Sequence, residues 1–99
     1  MERFKIEWTP EANEDYIEIL KYVEAVWGLN AALNFMEKTD EIIEVLEIFP
    51  KSFPAVHSDR IRRAVITKHT SLYYRLTPDG VELLYFWNNR RNPTDNPFG

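Results

Sequence analysis

Three observations in this 99-residue sequence predict an α+β fold: a two-layer sandwich of an N-terminal strand, an antiparallel helical hairpin and a three-stranded antiparallel meander. First, Phe4-Lys5-Ile6-Glu7-Trp8 alternates apolar and charged residues, the period of a half-buried strand. Second, two long stretches carry apolar residues at three- and four-residue spacing, so each forms a helix with one apolar stripe. Third, residues 60–66, 72–76 and 81–87 are short β-branched or aromatic runs separated by turn residues. The two helical stripes need cover, and a sheet made of the opening strand and the meander supplies it.

Each element has a local cause. Thr9 is placed to cap the first helix and Pro10 suits its first position, where no amide partner is required. Glu11, Glu14 and Asp15 fall in the first turns, where the helix dipole favours negative charge. Ala12, Tyr16, Ile19, Leu20, Val23, Val26 and Trp27 form the stripe of a helix over residues 10–27, and Gly28 stops it. Asn30 is the expected second cap after a two-residue break. The second stripe is Ala32, Phe35, Met36, Thr39, Ile42, Ile43, Leu46 and Phe49, and Pro50 ends it. So short a break implies an antiparallel pair. Residues 50–59 read as a connecting loop with two prolines, tucked against the core at Phe53 and Val56. Residues 67–71 form one turn, and Pro78-Asp79-Gly80 another, with proline pre-setting the bend. The last residues, 94–99, read as a short frayed tail. The whole chain, 1–99, reads as one domain.

Composition narrows the chemistry. The chain is 44% hydrophobic and 28% charged, ordinary for a globular protein. It has no cysteine, which excludes disulfides, cysteine–zinc sites and thiol nucleophiles, and fits a reducing cytosol. No apolar run approaches the roughly 20 residues of a membrane span, and residues 1–5 lack a secretory apolar region. The expected location is the cytoplasm, with no membrane partner. The net charge of −4 is unevenly spread: residues 1–50 carry −8, from 4 basic and 12 acidic residues, and residues 51–99 carry +4, from 8 basic and 4 acidic. An acidic side and a basic side follow, and a basic patch acts locally whatever the total charge.

The usual catalytic constellations are missing. With only Gly28, Gly80 and Gly99 there is no glycine-rich phosphate loop. His57 and His69 lie in separate loops without metal-ligand spacing, so neither a metal nor a cofactor is expected. The acidic pairs on the helices read as ordinary solvated charge. What remains is a basic and aromatic set: Arg60, Arg62, Arg63, Lys68, Arg75, Trp87, Arg90 and Arg91. Strand alternation puts Arg62 on one face with Ala64 and Ile66, and Arg63 on the other with Ile61 and Val65. In an up-down-up meander, Arg60, Arg62 and Arg75 share one end, and Arg90 and Arg91 join Lys68 and His69 at the other. A positive stripe across the sheet is the expectation. Guanidinium forks suit phosphate or carboxylate, and Tyr73, Tyr74, Tyr85 and Trp87 are candidate stacking surfaces.

Read in order, Trp8-Thr9-Pro10-Glu11-Ala12, Ala31-Ala32, Phe49-Pro50, the arginine-rich strand, Ser71-Leu72-Tyr73-Tyr74-Arg75 and Phe86-Trp87-Asn88-Asn89-Arg90-Arg91-Asn92-Pro93 resemble the RelE/ParE superfamily. These are the toxins of type II toxin–antitoxin systems, and the ending looks most like the ParE-like, plasmid-stabilisation branch. The resemblance implies a cytoplasmic protein that inhibits growth unless wrapped in a hetero-oligomer by a cognate antitoxin. The antitoxin is expected as an extended, partly helical segment along the helical hairpin and sheet edge, with some basic residues to match the acidic outer faces of the helices. ParE-like relatives bind DNA gyrase without a catalytic centre; RelE-like relatives cut messenger RNA on the ribosome. Against the nuclease pattern, Ala64 stands where a second basic residue is expected, Ser71 replaces an arginine, and no Tyr or His follows Arg90-Arg91. The implied function is a target-binding toxin. The alternatives are a ribosome-dependent endoribonuclease using Arg62, His69, Arg75 and Arg90 around one phosphate, or a decayed member that keeps only the fold.

Overall fold

The computed structural model describes residues 3–89 and 91–98. Its elements run β1 (Lys5–Trp8), α1 (Pro10–Trp27), α2 (Leu29–Ile48), β2 (Ala55–Ser58), β3 (Ile61–Thr67), β4 (Thr70–Thr77), β5 (Gly80–Asn88) and a 3-10 turn at Pro93–Asp95. The five strands form one mixed sheet in the order β1-β5-β4-β3-β2. Strands β2 to β5 pair antiparallel in sequence, while β1 lies parallel to β5, with Lys5 opposite Gly80 and Trp8 opposite Leu83. The predicted α+β sandwich is the one observed.

The start of α1 is tied to the sheet by one side chain. The Thr9 Oγ1 accepts from the Ala12 amide at 3.1 Å and donates to the Leu84 carbonyl at 3.0 Å. The same hydroxyl thus caps the helix and fixes its angle on β5. At the other end, Gly28 alone separates the helices. Its φ of 97° is a left-handed conformation that glycine adopts without a Cβ penalty, and α2 begins at once with Leu29. The cap expected at Asn30 is therefore corrected: Asn30 lies inside the helix, and no side chain caps α2.

The core lies between the hairpin and one sheet face. Ala12, Phe35 and Leu46 meet Ala64, Ile66, Leu72, Tyr74, Val81, Leu83 and Phe86 there. A bulge shapes that face. The β4–β5 register shifts between Tyr73 and Tyr74, pairing them with Tyr85 and Leu83, so Leu84 is the extra residue. Leu83 and Phe86 therefore both face the helices, and Tyr85 and Trp87 join Tyr73 in a second cluster.

Two expectations are corrected here. The loop after α2 contains β2, a short edge strand whose burial pattern gave no alternation to read; Pro54 precedes it and accepts from the Arg63 amide. The tail, expected to fray, is folded down instead. Asn96 and Phe98 are partly buried against the Tyr73 and Tyr85 side chains.

Candidate functional site at the end of the sheet

The register separates the basic residues into two groups. Ile61 pairs with Arg75 at one end of the meander, and Thr67 pairs with Thr70, itself opposite Asn88, at the other. Arg60, Arg62 and Arg75 thus stand at the first end, and Lys68, His69 and Arg91 at the second. Five residues of strand, roughly 16 Å at ~3.3 Å per residue, separate Arg62 from Thr67. These are the two ends that an up-down-up meander predicts for them. Arg90 lies outside the described residues.

The first group is largely tied up within the molecule. Arg62 faces the helix side with Ala64 and Ile66, as alternation predicts, yet it is only 8% exposed. Its Nε donates to the Asp59 carbonyl at 2.9 Å, and Nη1 donates to the carbonyls of Lys51 and Phe53 at 3.2 and 2.9 Å. Nη2 meets the Asp59 carboxylate at 2.7 Å. This guanidinium is the organising centre of the loop over residues 50–59. Tyr74 helps, donating its hydroxyl to the Pro50 carbonyl at 2.7 Å. Burial pushes the Tyr74 phenol up to about 12, against the opposing charge of Arg62. Arg75 pairs with Glu82, and the Arg60 Nε donates to the Leu76 carbonyl. Arg63 is exposed, on the sheet face away from the helices.

The aromatic candidates are also engaged. Tyr74 is in the main core, and Tyr73, Tyr85 and Trp87 are buried on the opposite face. The Arg91 guanidinium sits 4.4 Å above the Trp87 ring, a cation–π contact that covers the indole.

The second group borders a groove of about 590 Å³. Its walls come from the later turns of α1, the first turns of α2, the β3–β4 turn and the end of β5. Lys38, Lys68, His69 and Arg91 supply basic groups, Asp15 and Glu18 acidic ones, and Ile19, Tyr22, Trp27 and Phe35 an apolar wall. The β3–β4 turn is braced by Asn89, whose amide donates to the His69 carbonyl at 2.7 Å and whose side chain donates to the Lys68 carbonyl at 3.1 Å. Asp15 was expected to be solvated charge; here it is partly buried and accepts from the Phe86 amide at 3.1 Å. Burial raises its carboxyl above the ordinary 3.8, outweighing that hydrogen bond and the nearby Arg91.

Sequence reasoning named Ile19, Trp27 and Phe35 only as residues of the helical stripes and did not single out Tyr22. Tyr22 is 50% and Trp27 63% exposed. The legible signal was Tyr22, a large aromatic lying off the apolar stripe of α1. Among the described residues, no group of three or more His, Asp or Glu side chains is placed to hold a metal. His57 lies against Phe98, 5.2 Å between ring centroids, away from the groove. An apolar wall with charged groups beside it has the make-up of a surface that holds a partner.

A family model for the ParE toxin of type II toxin–antitoxin systems, parDE, matches residues 6–93. No curated protein matches by sequence. Solved structures that share the fold include three toxin systems. A chromosomal ParDE toxin–antitoxin system from P. aeruginosa gives a TM-score of 0.70 at 17% identity, covering 86% of this chain and 95% of that one. The DinJ–YafQ complex from E. coli gives 0.60 at 16%, covering 88% and 94%. The YoeB dimer from Staphylococcus aureus gives 0.59 at 16%, covering 84% and 93%.

Proposed function

Since the chain belongs to the ParE toxin family of type II toxin–antitoxin systems, we propose that it arrests growth in the cytoplasm by binding and blocking a larger target. DNA gyrase is that target in this reading, and a cognate antitoxin neutralises the toxin. The observation that carries the reading is the separation of the would-be catalytic groups. A nuclease of this kind needs a base, an acid and a cation around one phosphate. Here Arg62 is locked to Asp59 and three carbonyls, Arg75 is paired with Glu82, and His69 belongs to the opposite end of the meander. Binding places no such demand on convergence.

The antitoxin fits the groove beside the helical hairpin. Tyr22 and Trp27 offer an apolar wall of the kind that receives an amphipathic segment, with Lys38, Lys68 and Arg91 at its rim. Neighbours of the same fold solved as complexes, DinJ–YafQ and YoeB–YefM, support a cognate antitoxin as partner. Among the described residues, no helix is long and apolar enough to cross a membrane.

Titrating purified protein into a gyrase supercoiling reaction tests the target. The expected result is inhibition that saturates near equimolar toxin and is reversed by the antitoxin. Full supercoiling activity at a large excess of folded toxin removes gyrase from the proposal.

A further inference from the structure

The tail of the chain is seated on the sheet like a bound ligand. The Asn96 carboxamide bridges two phenols: Tyr85 donates to its Oδ1, and its Nδ2 donates to the Tyr73 hydroxyl at 3.0 Å. Two residues on, the Phe98 ring stacks on Tyr85, with centroids 6.3 Å apart and planes at 14°, and its other neighbour is His57 of β2. The Phe98 amide donates back to the Asn96 Oδ1 at 3.1 Å, so the segment closes on itself as it docks. The hydrogen bonds of residues 92–95 with other described residues are local, within the turn itself. Among the described residues, no backbone–backbone hydrogen bond joins residues 92–98 to the sheet, and the Phe98 amide reaches the Tyr85 hydroxyl instead. Asn96 and Phe98 hold the tail, and the surface beneath it is specific.

That surface is a row of stacked rings. Tyr73 and Tyr85 lie 4.8 Å apart with planes at 14°, and Trp87 meets Tyr85 edge-on at 6.3 Å. With residues 92–98 lifted, the Tyr73 and Tyr85 rings on the face away from the helices would lose their cover, while Arg91 still lies over Trp87. The phenol pair adds a fixed donor and acceptor.

We propose that this row is a recognition site for a turned peptide with a carboxamide side chain followed, two residues later, by an aromatic ring, and that residues 92–98 are its built-in occupant. A protein partner bearing such a segment would bind by displacing the tail. The choice of peptide over nucleic acid follows from what is seated there, a carboxamide and a phenyl ring on a turned backbone, and from the chain's net charge of −4. For the tail to stay docked, the same segment as a separate molecule must bind with a dissociation constant no weaker than the tail's effective concentration, on the order of millimolar for a short tether.

The test uses the full-length chain carrying Asn96→Ala and Phe98→Ala, which empties the site, and a synthetic peptide of residues 92–98. Circular dichroism and a melting curve establish that the double variant is folded. The Tyr73, Tyr85 and Trp87 ring resonances are then followed by NMR. The expected result is a saturable shift with a dissociation constant on the order of 1 mM. The wild-type chain, whose site is filled, gives a response at least about tenfold weaker under the same self-competition, and a peptide with both substitutions gives none. No saturable shift in the folded variant overturns the proposal, as does an equal response from the wild-type chain. A single-stranded oligonucleotide that saturates the same resonances more tightly than the peptide overturns the assignment of a peptide partner.

Discussion

Arg62 shows how a residue of the right type in the right place can serve the fold instead of the target. Its guanidinium holds three carbonyls and one carboxylate over the loop of residues 50–59, at 2.7–3.2 Å. Replacing it strands those carbonyls, so Arg62→Ala is expected to lower stability by about 2–4 kcal/mol in denaturant unfolding. Most of that loss comes from the carbonyls, because Asp59 is itself largely exposed. Arg62→Lys should recover little, since an ammonium cannot reproduce a planar fork. Strand alternation correctly gave the face of Arg62. It could not show that a loop with two prolines would close over that face, because that depends on where the loop's carbonyls point. Asp15 makes a second prediction at this scale. Its carboxyl is raised by burial, so protonation favours the folded state: the associated stability is complete below the ordinary value of 3.8 and lost as pH rises through the folded value. Asp15→Asn keeps an acceptor for the Phe86 amide and never ionises. At pH 7 it should unfold at the same or higher denaturant concentration than wild type, and that margin should shrink toward pH 4.

Among the elements, β1 is the one whose position sequence could not reveal. Its alternation announced a strand, but nothing local states that it pairs parallel with β5, at the opposite end of the chain. The pairing leaves a mark at Gly80. A Cβ there would lie 2.2 Å from the Lys5 carbonyl oxygen and 2.9 Å from the Lys5 Cβ, so β1 would have to move. Gly80→Ala is expected to cost about 3 kcal/mol, at the upper end for overpacking, read as a fall in the unfolding midpoint. Gly80 had been legible only as the glycine of a turn. Thr9 was legible as a cap but not as a link to β5. Thr9→Ala should cost about 1–2 kcal/mol, and Thr9→Ser should recover most of it by keeping the hydroxyl. The helix boundaries and the three meander strands followed from periodicity because each buries one face. The edge strand β2 has too few buried residues to announce itself, and the docked tail rests on two side chains, Asn96 and Phe98, that meet partners far away in sequence.

At the scale of the molecule, the helical hairpin and the end of the sheet make a groove with an apolar wall and a mixed, largely basic rim. Trp27 is the most exposed aromatic of that wall, so its removal should spare the fold and damage association. Trp27→Ala is expected to weaken antitoxin binding at least tenfold by calorimetry, about 1.4 kcal/mol, while the melting temperature of the toxin alone stays nearly unchanged. Taken together, the locked Arg62, the paired Arg75 and the distant His69 are the support for our proposal of a toxin that binds and does not cut. The most direct test maps messenger RNA ends in cells within minutes of inducing the chain without its antitoxin. The account predicts arrested growth with translated messages intact; new ends at fixed codon positions, lost when His69 is replaced by alanine, would contradict it.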